Sequence, residues 1–141
     1  MSAKRHERTL ARRTAVQVLY QGEILGVDTA EIVEQQSYHC EEYVLTDYSC
    51  ALVRGVDDHK EKIDEYLKST SENWSLSRMP VVDRCILRLA TYEMIHNDDV
   101  PHSVSINEAV ELAKDFGGED DSPRFVNGIL GRIAKLLEEE K

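Results

Sequence analysis

Five basic side chains crowd the first 13 residues, Lys4, Arg5, Arg8, Arg12 and Arg13, against a single acid, Glu7. On a helix, Arg5, Arg8 and Arg12 fall along one side, where their forked donors suit successive phosphates. The segment carries +4; the other 12 basic residues face 26 acidic ones, so the remainder carries −14 within a net charge of −10. A basic arm on an acidic body attracts a polyanion at one end and repels it elsewhere. The competing explanation is a solvated helix end.

Two aromatics sit where a ligand could reach them. Tyr20 lies outside the apolar seam Ala11, Thr14, Ala15, Val18, Leu19, Gly22 and Leu25, so it can stack or hydrogen-bond, although a packed tyrosine with only its hydroxyl at the surface fits as well. Near the other end, Val126, Ile129, Leu130, Ile133, Ala134 and Leu137 form one helical stripe, and Phe125 falls about 110° from its centre, at the edge of the core. Ser122 can cap that helix and Pro123 suits its first position. Gly128 and Gly131 each weaken it by roughly 1 kcal/mol relative to Ala, which points to close approach by something else, a packed helix first of all.

Other chemistry is missing from the pattern. Cys40, Cys50 and Cys85 are odd in number and far apart, and five scattered histidines supply no ligand set, so neither disulfides, metal nor cofactor is expected. Glu119, Asp120 and Asp121 precede a helix start, whose dipole they complement; a cation site is the less favoured reading. No nucleophile elbow, phosphate loop, zinc-protease or dinucleotide motif occurs, so no catalytic residue is assigned.

The positioning elements read as helices throughout, with no strand alternation. The first spans about Arg8 to Leu25, extending to Arg5 if the arginines are to align; a second starts at Asp28–Glu31 and runs to about His39. A longer one, capped by Thr46 or Asp47, continues through Tyr48, Leu52, Val56, His59, Ile63 and Leu67. Ser69 to Ser77 is a polar connection holding Trp74. After Pro80 a helix apolar on most sides should be the most buried; its Arg84, Arg88 and Glu93 need partners, and Asp83 should surface near its start. The last two helices begin at a Ser105–Glu108 capping box and at Ser122. The expectation is an all-α bundle of about seven helices over residues 1–141, an N-terminal half (about 1–70) packed on a C-terminal half (about 77–141). No apolar run approaches a membrane span, and Arg12 and Arg13 interrupt any secretory signal, so a cytoplasmic protein is expected.

ARRTAVQVLYQ, VDRCILRLATYEM, VPHSVSINEAVELAKDFG and SPRFVNGILG occur in this order across nearly the whole chain, which resembles the NusB family of transcription antitermination factors. The resemblance implies a non-catalytic all-α protein that binds single-stranded boxA RNA together with the ribosomal protein NusE, within the RNA polymerase antitermination complex. It implies RNA contacts at Arg5, Arg8, Arg12, Arg13 and Tyr20, and at Phe116, Asp121, Ser122, Arg124 and Phe125, with Asp83 near the partner. The chain has Glu119-Asp120-Asp121-Ser122 where many relatives have one residue fewer, and Asp121 is taken as the aspartate facing RNA. The runner-up is a module like the N-terminal domain of ribosomal RNA cytosine methyltransferases. A helical scaffold without RNA binding is the third reading.

Overall fold

The computed structural model describes residues 3–35, 45–71 and 75–140. Within them lie seven α-helices, α1 (Ala3–Leu25), α2 (Thr29–Gln35), α3 (Asp47–Asp58), α4 (Lys60–Thr70), α5 (Val81–His96), α6 (His102–Phe116) and α7 (Ser122–Glu139), plus a 3-10 turn at Leu76–Arg78. No strand occurs among the described residues, so the fold is all-α. The far end of the second predicted helix, with His39, Cys40 and Trp74, lies outside the described residues. No described helix is long and apolar enough to cross a membrane.

Helix α5 is the hub, as its apolar composition predicts. Cys85, Ile86, Leu87, Leu89, Ala90 and Met94 are all buried, and α1, α3, α4, α6 and α7 all pack against it. Helix α7 buries Val126, Ile129, Leu130 and Ile133 on the stripe read from the sequence. It packs on α6 and α5 and reaches back to α4.

Several local expectations need correcting. The long helix after Thr46 is two: α3 ends at His59, whose backbone leaves the helical region at φ −118°, ψ 16°. Both its N–H and its Nδ1 lie near the Gly55 carbonyl, at 3.0 and 2.9 Å. The apolar stripe runs on across this break, so periodicity alone conceals it. Thr46 caps α3, accepting from Ser49 N–H at 3.2 Å. The Ser105–Glu108 capping box does not form. Helix α6 starts four residues earlier, capped at Pro101, and Ser105 is buried in its first turns. At α7 the cap position falls to Asp121, with Ser122 as the first helical residue. Among the described residues Gly128 and Gly131 pack against no other helix: a Cβ at Gly128 would meet there only the tip of Arg132, 4.0 Å away, and one at Gly131 would meet nothing within that distance.

The charges on α5 find partners on other helices. Arg88 grips the Asp64 carboxylate with two donors, at 2.9 and 3.0 Å, and also pairs with Glu23. Glu23 is further approached by Lys60 at 3.5 Å and Arg84 at 3.6 Å. Burial pushes the Glu23 carboxyl pKa up, but the Arg88 hydrogen bond and the three cations outweigh it and hold the value below 4.5. This cluster ties the C-terminal half of α1 to α4 and α5. Arg84 also donates to the Leu76 carbonyl at 2.7 Å, anchoring the 3-10 turn.

Candidate nucleic-acid interface

Helix α1 does extend back past Arg5, but its arginines do different jobs. Arg5 is exposed and Arg8 half-buried, the Arg8 guanidinium lying 4.8 Å from the centre of the Tyr48 ring. Arg12 departs from the expected solvent-facing stripe: it is only 3% exposed. Its Nε donates to both Glu93 oxygens, at 3.2 and 2.9 Å, and its Nη1 to Glu108 at 3.2 Å. Glu93, itself 2% exposed, also accepts from Tyr48 O–H at 2.5 Å and Ser105 O–H at 2.6 Å. Burying a carboxylate is costly unless it is paired and hydrogen-bonded, and these donors meet that requirement. Burial, then the bond to Glu93, pushes the Tyr48 phenol up to about 12. Thr9 adds a bond to Glu108 at 2.6 Å. The arm is thereby bolted to α3, α5 and α6.

The next residue, Arg13, pairs with Asp115 and lies 4.7 Å from the centre of the Phe116 ring. Phe116 shares an apolar groove of about 640 Å³ with Val16, Tyr20, Ile24, Leu25 and Val82. Tyr20 is 41% exposed there, Ile24 55% and Leu25 60%. From Arg5 to Tyr20 is about 22 Å along α1 at 1.5 Å per residue. Arg5, Arg8 and Arg12 line a separate hollow with Val100, Pro101 and Val104 at the start of α6.

The turn from α6 to α7 is built around Asp83. This residue, expected at the surface, is 1% exposed. Its carboxylate accepts from Gly118 N–H at 3.2 Å and from Ser122 O–H at 2.8 Å, and the Ser122 oxygen accepts from Glu119 N–H at 3.0 Å. Ser122 is 1% exposed, so its hydroxyl serves the turn instead of reaching solvent. The turn lies tight against its neighbours. A Cβ on Gly117 would meet the Ala113 carbonyl at 2.4 Å, and one on Gly118 would meet Pro80 at 2.7 Å. What the turn presents outward is Asp121 and Arg124, both exposed, with Phe125 half-buried beside them as the helical wheel predicts. Asp121 and Phe125 face a hollow of about 540 Å³ shared with Arg78, Pro80, Asp83 and Glu119.

The predicted residues thus fall into two groups. Arg5, Arg8, Arg13, Tyr20, Phe116, Asp121, Arg124 and Phe125 reach the surface wholly or in part, whereas Arg12, Asp83 and Ser122 are buried fasteners beneath it. The reading from sequence missed Tyr48, Glu108 and Arg78. Glu93, set among the apolar residues of the most buried helix, is the available signal for the Arg12–Glu93 bond. Among the described residues no group of three or more His, Cys, Asp or Glu could hold a metal ion.

Comparison with known proteins is decisive at this point: the model of the NusB family matches residues 9–135. The chain belongs to the NusB family. It is 46% identical over 130 residues to the transcription antitermination protein NusB of Saccharopolyspora erythraea, covering 92% of this chain and 87% of that one. It is 42% identical over 132 residues to the NusB of Thermobifida fusca, covering 94% and 92%. Among solved structures it resembles T. maritima NusB, with TM-score 0.79 and 38% identity over 91% of this chain and 90% of the other. It also resembles a chain from a crystal structure of the antitermination factors NusB and NusE in complex with dsRNA, with TM-score 0.76 and 27% identity, covering 96% and 99%. The stretch matched by the family model takes in Arg12, Arg13 and the α6–α7 turn, while Arg5 and Arg8 precede it.

Proposed function

We propose that this chain is a transcription antitermination factor that binds single-stranded boxA-type RNA together with a NusE-like ribosomal protein and links both to RNA polymerase in the bacterial cytoplasm. The role is one of binding, without catalysis, and residues 1–141 act as one domain. The observation that carries the reading is the likeness over nearly the full chain to a protein solved with NusE and RNA, and the fold's gathering of arginines, aromatics and an acidic turn supports it.

Arg5, Arg8 and Arg13 hold phosphates, while Phe125 offers stacking area and Asp121 accepts from base amines. Arg124, exposed one residue before Phe125, supplies a further cation. Arg12 and Ser122 act as positioning residues: Arg12 fixes the arm through Glu93, and Ser122 fixes the turn through Asp83. The partner docks on the apolar groove of Tyr20, Ile24, Leu25 and Val82, whose exposed side chains form a patch of the kind that marks an interaction surface. Asp83 supports the rim of that groove from below and touches no partner itself. Phe116 joins the two areas, since it lines the groove and meets Arg13.

Titration of labelled single-stranded boxA RNA at two salt concentrations tests the reading. Binding that weakens with salt, with a slope set by the number of phosphates held, is the expected result. Absence of binding at low salt would leave a helical interaction scaffold in its place.

A further inference from the structure

Resting on the RNA-binding reading, we propose that Tyr48 on α3 is a positioning residue for RNA: its ring holds the Arg8 guanidinium in place, so that Arg8 meets a backbone phosphate already ordered. Tyr48 acts through Arg8 and touches no RNA itself.

The ring is fixed before any ligand arrives. Thr46 caps α3 through Ser49 N–H, and the Ser49 hydroxyl donates to the Ala11 carbonyl of α1 at 3.0 Å, so the first turn of α3 is pinned along the arm. Tyr48 stands in that turn. Its hydroxyl donates to Glu93 at 2.5 Å and accepts from the Asn97 amide at 3.0 Å, at the residue that ends α5. The side chain is half-buried and packs against the core. A phenol bonded both as donor and as acceptor, on a ring packed from below, has little freedom to turn.

Two arginines of the arm approach this ring, and they differ in what else they hold. The Arg12 guanidinium carbon is 5.9 Å from the ring centre, and its donors are bound to Glu93 and Glu108. Arg8 lies over the ring at 4.8 Å and makes no ion pair among the described residues. The contact with the ring therefore serves Arg8 above all. An aromatic face attracts a guanidinium through its quadrupole, with no carboxylate to occupy the fork of donors, so that fork stays available to a phosphate. An acid in place of Tyr48 would hold Arg8 as firmly but would compete with the phosphate for it. An arginine free in solvent loses rotamer entropy when it binds, whereas one held against a ring has lost part of it on folding. A tyrosine serving only the core accounts for the bond to Glu93 and leaves the arginine over its ring without a reason.

The test is a mutant cycle on the full-length protein, with single-stranded boxA RNA as the probe. Tyr48→Leu should weaken binding by about two- to fivefold, the worth of an exposed cation–π contact, and should cause no further loss in an Arg8→Ala background. Tyr48→Phe, which keeps the ring and loses the bond to Glu93, should be less stable yet bind RNA as the wild type does. Pentafluorophenylalanine at position 48 has nearly the shape of phenylalanine with the ring quadrupole reversed. It should weaken binding as Tyr48→Leu does, and it decides the matter even where Tyr48→Leu fails to fold. Equal losses from Tyr48→Leu with and without Arg8, or equal affinity with phenylalanine and its pentafluoro form, would overturn the role of Tyr48 while RNA binding by the wild type stands. Failure of the wild type to bind RNA at low salt would overturn the underlying function as well.

Discussion

Arg12 is the residue on which the sequence pattern and the fold make opposite predictions. Read as part of a phosphate-binding stripe, its loss would weaken RNA binding and leave the fold alone. In the structure, Arg12→Ala removes the only cation bonded to Glu93 among the described residues, leaving there a carboxylate at 2% exposure with the Tyr48 and Ser105 hydroxyls. Removing one member of such a pair costs about 3–5 kcal/mol, because the remaining charge stays buried without compensation. At about 3 °C per kcal/mol for a chain of this size, the melting temperature should fall by roughly 10–15 °C. Denaturant unfolding gives the free energy, and RNA titrations over a salt series, run well below the variant's melting temperature, give the number of phosphate contacts. The slope of log K against log salt should be unchanged by Arg12→Ala but reduced by about 0.7 by Arg8→Ala, one contact's worth for a single strand. A fully stable Arg12→Ala protein with a shallower salt slope would refute the assignment and return Arg12 to the RNA surface.

Phe125→Ala should cost roughly 1–3 kcal/mol of RNA affinity and less stability than the ~3–5 kcal/mol of a buried aromatic; large destabilisation with normal affinity would make it a core residue only. Partial desolvation first, then the neighbouring His59 ring at 4.2 Å and the Lys62 charge, hold the pKa of the exposed His96 below 6.5, with Tyr92 packed against it at 4.8 Å. The unfolded chain therefore takes up this proton first as pH falls, so the stability it contributes is complete above about pH 6.5 and declines from there toward the folded value. Melting temperatures from pH 7 to 5 should fall more steeply in wild type than in His96→Asn, and parallel curves would remove His96 from the effect.

Much of the scaffold was legible because helical burial writes itself as a 3.6-residue stripe. Val126, Ile129, Leu130 and Ile133 are core in both the pattern and the fold, and the edge position of Phe125 followed from the same wheel. The break at His59 was hidden because the stripe resumes in phase in α4. The start of α6 was missed because Ser105 and Glu108 have the spacing of a capping box, while their side chains answer to Glu93 and Arg12 from other helices. The buried charges were the least legible part. Arg12 and Glu93 lie 2.9 Å apart in space but 81 residues apart in the chain, and no local spacing carries that information. The same holds for Asp83, whose partners Gly118 and Ser122 belong to a turn two helices away. Helix-wheel reasoning assigns such groups to solvent because charged residues are seldom fully buried unless paired, and the pairing is a property of the tertiary fold.

In the function proposed above, arm, turn and groove form one composite surface, on which a basic partner offsets the −14 body as RNA binds the +4 arm. Calorimetry of the four-sided cycle tests this most directly: protein with RNA, protein with the NusE-like partner, and each binary complex with the third component. The predicted result is positive coupling of about 1–3 kcal/mol, the same whether RNA or partner is added first, since linkage is reciprocal. Zero coupling, or full-strength RNA binding by the isolated protein at physiological salt, would contradict it.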